Sequence, residues 1–489
     1  MMRPILLMTI PAALFISCSQ PKADFFSEKY PDIFPDYIDV TVPDNIAPLD
    51  FSITDKSTSA IYVTVTGKNE ESISSRGKSC TRFSIRKWHK LLSSSKGDSI
   101  SVTVRARTDS GWIEYHKFPI HVSSDTMDYG LCYRRILPGY EAFGPMGIYE
   151  RELSSFRERT LIDNSQFSGC VNCHSFNKCD PEEFSLHIRG EHGGTLIRKN
   201  SRLQIYETKV EESIGSCVYP YWHPSGRYIA YSSNLTRQGF HESPSKLVEV
   251  FDHDSDVEIY DTATGNLLFP SSAARKDSWE TFPAFSPDGK TLWFTSAAPK
   301  SIPDSLLGIR YRLCRMDFPP ENDIAAPKDG LSSAETVIDA PSEGKSIAFP
   351  KPSFDGRFLM YTLSDYGTFP IWHKEADLWL LDLKDGSSRP LDGVNSDDTD
   401  SYHNWDSSSR WFVFSSRRID GRFTRLYICH IDENGNTGKP FLLPQRNPKE
   451  YYREMFYSYN VPEFITSPVP FNTRKALRLI NGTNRERFF

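Results

Sequence analysis

The sequence predicts an all-β chain, a small β-sandwich followed by a β-propeller of six blades. Three observations predict it. Four segments of the second half lie over one another, with tight turns at Gly226, Gly289, Gly356 and Ser409 that are 63, 67 and 53 residues apart. Repeats of this length made of four strands are blades. Residues 25–125 alternate apolar and polar side chains, the period of half-buried strands. Finally, 33 prolines, 28 glycines and 13% aromatic residues suit many short strands joined by turns.

The chain opens with Arg3 and a mostly apolar run over residues 5–16. The run is too short, and too broken by Pro11, to span a bilayer, so residues 1–17 read as an export signal. Phe15-Ile16-Ser17-Cys18 resembles a bacterial lipobox, with Phe where Leu is usual. The resemblance implies cleavage before Cys18, a lipid on Cys18 and a lipidated linker over residues 18–24. Ser19, rather than Asp, implies the outer membrane, facing the periplasm. An ordinary cleaved signal is the alternative.

Residues 25–125 contain Ala60-Ile-Tyr-Val-Thr-Val-Thr66, Ser99-Ile-Ser-Val-Thr-Val104 and Trp112-Ile-Glu-Tyr-His-Lys-Phe118. These read as strands of an immunoglobulin-like β-sandwich, with one short helix over 84–92. The sandwich carries no cluster of reactive side chains and is expected to space the propeller from the lipid anchor.

The propeller occupies residues 126–475. Its aligned segments are Tyr219-Pro-Tyr-Trp-His-Pro-Ser-Gly-Arg, Phe282-Pro-Ala-Phe-Ser-Pro-Asp-Gly-Lys, Phe349-Pro-Lys-Pro-Ser-Phe-Asp-Gly-Arg and Tyr402-His-Asn-Trp-Asp-Ser-Ser-Ser-Arg. Each reads strand, tight turn, basic residue and apolar strand; Pro and Asp pre-shape the turn and Gly relieves it. These units resemble the repeats of TolB-like proteins. The resemblance covers roughly residues 135–470 and implies a TolB-like propeller, a fold that often serves as an interaction scaffold. A fifth unit holds Phe184–Ile188 as its second strand, which makes 170–176 its first strand. The closing blade combines Met146–Tyr149 and 158–162 with the tail around 457–465. Residues 476–489 are set apart as a C-terminal tail, and the alignment leaves a seventh blade open.

Cys170-Val-Asn-Cys-His174 is the pattern by which a c-type haem is attached. Cys170 and Cys173 would form the thioethers and His174 would be an axial ligand of the iron. Attachment outside the inner membrane agrees with an exported chain. A Cys170–Cys173 disulfide is one rival reading; zinc held by Cys170, Cys173, Cys179 and His187 is another. Bridges from Cys217 to Cys132 or Cys179 are also open. Antiparallel pairing returns the second strand to the motif, which makes His187 the expected sixth ligand and His192 its alternative. Met146, His241 and His403 are lesser candidates.

The net charge of −6 gives no electrostatic case for nucleic acid. No nucleophile elbow, HExxH or phosphate loop occurs, so a hydrolase reading lacks a named nucleophile. Asp254, Asp256 and Asp261 do not make a full calcium-loop pattern. Segments 238–241 and 249–252 lie on a long connection of the kind that forms propeller binding faces. The sequence therefore points to electron transfer or redox sensing with a protein partner of the envelope. The alternative is a haem-free scaffold for protein, glycan or peptide binding.

Overall fold

The computed structural model describes residues 20–138, 144–241, 248–302, 305–319 and 333–489. Cys18 and the export signal lie outside the described residues.

Among the described residues, six sheets, each with a four-stranded antiparallel core, follow the order expected of propeller blades. Blade 1 runs from the inner strand Cys170–Asn177 through Asp180–Arg189 and Gly194–Lys199 to Arg202–Glu207. Blades 2 to 5 begin at Cys217–Trp222, Trp279–Phe285, Ser346–Pro352 and Asp400–Trp405. Blade 6 is closed by both ends of the chain: Ser458–Ile465 forms its inner strand and pairs with Gly130–Ile136, followed by Met146–Glu152 and Glu158–Asp163. The count is six, and the four aligned turns occupy equivalent places. Gly226, Gly289 and Gly356 all have φ of 72°, and Ser409 has φ of 61°.

Left-handed backbone explains the glycines at these turns. Gly289 has a second constraint. A Cβ there would collide with the His223 ring, whose Nε2 donates to the Gly289 carbonyl at 3.0 Å. Gly386 has φ of 76° but open space around it. Gly386→Ala is therefore expected to cost about 1 kcal/mol, and Gly289→Ala about 2–3 kcal/mol. Thermal melts of the two variants check the difference.

The N-terminal unit is built on a seven-stranded mixed sheet with Ala60–Thr66 and Asp98–Thr108 at its centre. Burial alternates along Ala60–Thr66, as period two requires. The expected second sheet is reduced to a two-residue ladder, Ile33–Phe34 with Ser52–Ile53. Pro31, Pro35, Pro43 and Pro48 crowd this stretch and remove ladder donors. The helix Ile85–Ser94 adds Trp88, Leu91 and Leu92 to the core.

This unit is not held at a distance. One apolar cluster joins Val63, Trp88 and Val104 to Trp411, Val413 and Ile428 of blade 5. The Tyr37 hydroxyl donates to the Leu442 carbonyl at 3.2 Å, and Lys439 donates to Asp36 at 2.6 Å. The C-terminal residues are also integrated. Glu486–Arg487 adds a parallel fifth strand to blade 1, and Phe488 stacks on Tyr260 at 3.6 Å. Segments 238–241 and 249–252 extend a long hairpin, Tyr228–Phe240 paired with Val248–Asp261. Glu249 pins this arm to blade 4 by accepting from Tyr366 at 2.9 Å and from His373 at 3.0 Å.

Candidate cofactor site in the propeller channel

Each inner strand bulges at a residue with left-handed backbone. These are Cys173 (φ 35°), Tyr219 (49°), Phe282 (54°), Phe349 (55°), Tyr402 (50°) and Val461 (49°). The sheet register shifts at every one of them. Such backbone costs a non-glycine residue about 1 kcal/mol or more and persists where packing over-determines it. The packing here is aromatic. Tyr219 meets Phe282 at 4.7 Å, Phe282 meets Phe349 at 4.5 Å, and Phe349 meets Tyr402 at 4.8 Å. Cys173 and Val461 are the two small members of the ring. Beside them opens a cavity of about 710 Å³ lined by Cys170, Cys173, His174 and the aromatic wall. That volume lies within the range of small-molecule and cofactor sites.

The residue after the bulge is proline in four blades and histidine in two, His174 and His403. The pair forms an internal comparison. His403 Nε2 donates to the Met360 carbonyl on the neighbouring blade at 3.0 Å, leaving Nδ1 unpartnered. His174 is equally buried, yet neither ring nitrogen has a hydrogen-bond partner. The Cys132 and Val461 backbones lie near the ring without completing a bond. Burial, helped by the charges of Arg134 and Lys351, lowers the His174 pKa to about 4. At neutral pH the ring is thus the uncharged form that binds metal. Two unbridged thiols and an unsatisfied neutral imidazole line one cavity, so these residues fit a covalently held haem.

The expected sixth ligand is not brought to this cavity. The register does return His187 to the motif, opposite Asn172. Its ring, however, belongs to the second strand, outside the cavity lining, and Nδ1 pairs with the Thr195 hydroxyl at 2.9 Å. His192 lies in the following turn, where its carbonyl accepts from Arg485 at 3.0 Å. His241 is taken by Glu249 at 3.0 Å. Of the candidates named from sequence, His403 lines the cavity with His174.

The zinc set is not assembled either. Among the described residues, no three His, Cys, Asp or Glu side chains are grouped to hold a bare ion. Cys179 instead points its thiol at the Trp405 carbonyl, 3.6 Å away. Cys132, Cys179 and Cys217 are unbridged, so the alternative disulfides do not form.

Glu463 lies at the channel waist and accepts from the Phe176 amide at 2.9 Å. Burial raises its pKa to about 7, opposed by Lys351; burial also raises Asp406 to about 7, helped by Asp128. Both groups hold a proton more tightly folded than unfolded, so their contribution is full below the ordinary carboxylate range. It is lost as pH rises through 7. The melting temperature is expected to fall between pH 5 and pH 8, and Glu463→Gln or Asp406→Asn to flatten that fall. Carboxylates held low, such as Asp261 beside Arg227, are already ionised across this window.

Sequence reasoning missed the aromatic wall, Arg189, Arg237 and Lys351. A signal for the wall was present, since Tyr219, Phe282, Phe349 and Tyr402 each begin an aligned segment. The cations had none, because they reach the cavity from three different blades.

Among the described residues, the chain folds as an N-terminal β unit followed by a β-propeller of six blades. No protein-family model matches the sequence, and no curated protein matches it. Solved structures similar to it include TolB from Acinetobacter baumannii, at 11% identity and a TM-score of 0.44, covering 78% of this chain and 85% of that one. The periplasmic gluconolactonase PpgL of Pseudomonas aeruginosa is similar at 13% identity and a TM-score of 0.37, covering 84% and 100%. An oligogalacturonate lyase from Vibrio parahaemolyticus is similar at 12% identity and a TM-score of 0.34, covering 61% and 76%. Among the described residues, no helix is long and apolar enough to cross a membrane.

Proposed function

We propose that this chain is a lipoprotein, anchored through Cys18 to the outer membrane and facing the periplasm, whose propeller carries one covalent haem c. Its role is electron transfer or redox sensing coupled to a protein partner. The observation that carries the reading is the contrast between His174 and His403. Equivalent positions hold two buried histidines, and the one without a hydrogen bond is the one that follows Cys-x-x-Cys.

When bound, the haem supplies a one-electron couple. The protein's own residues do the rest. Cys170 and Cys173 hold the group on the rigid inner strand of blade 1, and His174 offers a neutral nitrogen beside them. Tyr219, Phe282, Phe349 and Tyr402 wall the cavity with apolar faces, which limits water and favours the less charged redox state.

The test is expression with the native export signal in a host that matures c-type cytochromes, followed by the reduced pyridine-adduct spectrum of the denatured protein. A c-type band that survives acid–acetone extraction and disappears in Cys170→Ala/Cys173→Ala is expected. A colourless chain from cells that mature a control cytochrome overturns the haem and leaves a propeller scaffold for protein, glycan or peptide.

A further inference from the structure

Three cations line the channel and form no close ion pair among the described residues, although Lys351 feels the charge of Glu463 and Arg189 that of Asp252. Arg189 stands opposite Cys170 in the blade 1 ladder, and Arg237 is exposed on the blade 2 hairpin at the cavity mouth. Lys351 lies two residues beyond the blade 4 bulge, across the ring from blade 1; its ammonium sits 4.9 Å from the centre of the Tyr221 ring. Glu463 is the one carboxylate in the cavity lining, and it retains a proton up to about pH 7. This lining is positive in a chain whose net charge is −6. Cations gathered around a partly dry cavity repel one another and lose hydration, costs that a bound anion offsets. Between the mouth and the waist the wall is aromatic, with Phe282 and Phe349 against one another at 4.5 Å.

Deepening the cofactor reading on which it rests, we propose that the channel selects a flat apolar molecule bearing carboxylates, with Arg189, Arg237 and Lys351 supplying the counter-charge. Two sources have this chemistry: the propionates of the attached porphyrin itself, and a free aromatic carboxylate. In the first case the cations orient the porphyrin about its thioether edge. In the second they draw a diffusing ligand into the channel.

The test uses the full mature chain carrying Cys170→Ala/Cys173→Ala, so that binding is not covalent. Metal-free protoporphyrin IX and its dimethyl ester, which lacks the charges, are titrated by quenching of protein fluorescence. The diacid is expected to bind one to one and at least tenfold more tightly than the ester. Adding Arg189→Gln, Arg237→Gln and Lys351→Met should weaken the diacid at least tenfold and leave the ester unchanged, which also reports an intact channel. Equal affinity for the two porphyrins, or no response of the diacid to the triple change, overturns the proposal. The pyridine spectrum of the unmodified chain separates this from the parent reading. Diacid selectivity without covalent haem refutes the cytochrome and leaves a site for a free carboxylate. Covalent haem without selectivity refutes the carboxylate site alone.

Discussion

A chain ending before Ser458 is expected not to fold. Ser458–Ile465 is the inner strand of blade 6, and the other three strands of that blade come from residues 130–163. Without it the ring cannot close, and the facing surfaces of blades 1 and 5 are exposed. Tyr459, Phe464 and Ile465 are fully buried, each contributing about 1.5–3 kcal/mol of apolar burial. The Tyr459 carbonyl accepts from Ser415 at 2.9 Å and from Thr424 at 2.8 Å. A natural domain has about 5–15 kcal/mol in hand, and these losses together are of that size. Residues 20–457 should give no cooperative melt in circular dichroism. Residues 20–482, which lack the fifth strand of blade 1, the Phe488 stack and the Arg485 bonds to the His192 and Ile480 carbonyls, should melt cooperatively a few degrees below the full chain. A cooperative melt for 20–457 would show that blade 6 does not hold the ring.

Substituting the two equivalent histidines is expected to give opposite results. His403→Leu removes the donor to Met360, leaves a buried carbonyl unsatisfied, and should cost about 1–3 kcal/mol with the absorption spectrum unchanged. His174→Leu removes two nitrogens that lie near the Cys132 and Val461 backbones without completing a hydrogen bond, so the apoprotein should lose less stability than His403→Leu. In the matured protein the same change should alter the Soret band and the reduced spectrum, or prevent haem from being retained. Thermal melts of the apoproteins and spectra of the matured ones check both halves. A His174→Leu apoprotein as destabilised as His403→Leu would place His174 among the pins between blades and remove it from the cofactor site.

The blades were legible because their information is local. Ser-Pro-Asp-Gly at 286–289 and its counterparts specify a turn, and apolar runs on either side specify strands whatever the rest of the chain does. The closing blade was harder. Met146–Tyr149, 158–162 and the tail around 457–465 are legible as its parts, but the strand Gly130–Ile136 that joins them is not, since no turn motif precedes it. The motif at 170–174 was legible as chemistry and as an inner strand. The sixth ligand was not, because register gives the residue opposite and says nothing of the distance from the ring axis. His187 is opposite the motif yet one strand too far out. Likewise Lys351 and Arg237 line one cavity from blades 4 and 2, a relation that no window of sequence contains.

Closure of blade 6 by both ends of the chain also sets an order in time. Residues 130–163 leave the ribosome long before 458–465, and the two must meet for the channel to exist. Until they do, Cys170 and Cys173 belong to an open array of blades, reachable from the side where Val461 and Pro462 will later stand. Completion of the last strand buries Cys173 and ends that access. On the haem reading proposed above, the interval between export of the motif and arrival of the C-terminal strand is a maturation window. Its length is set by some three hundred residues of intervening chain rather than by any residue of the site.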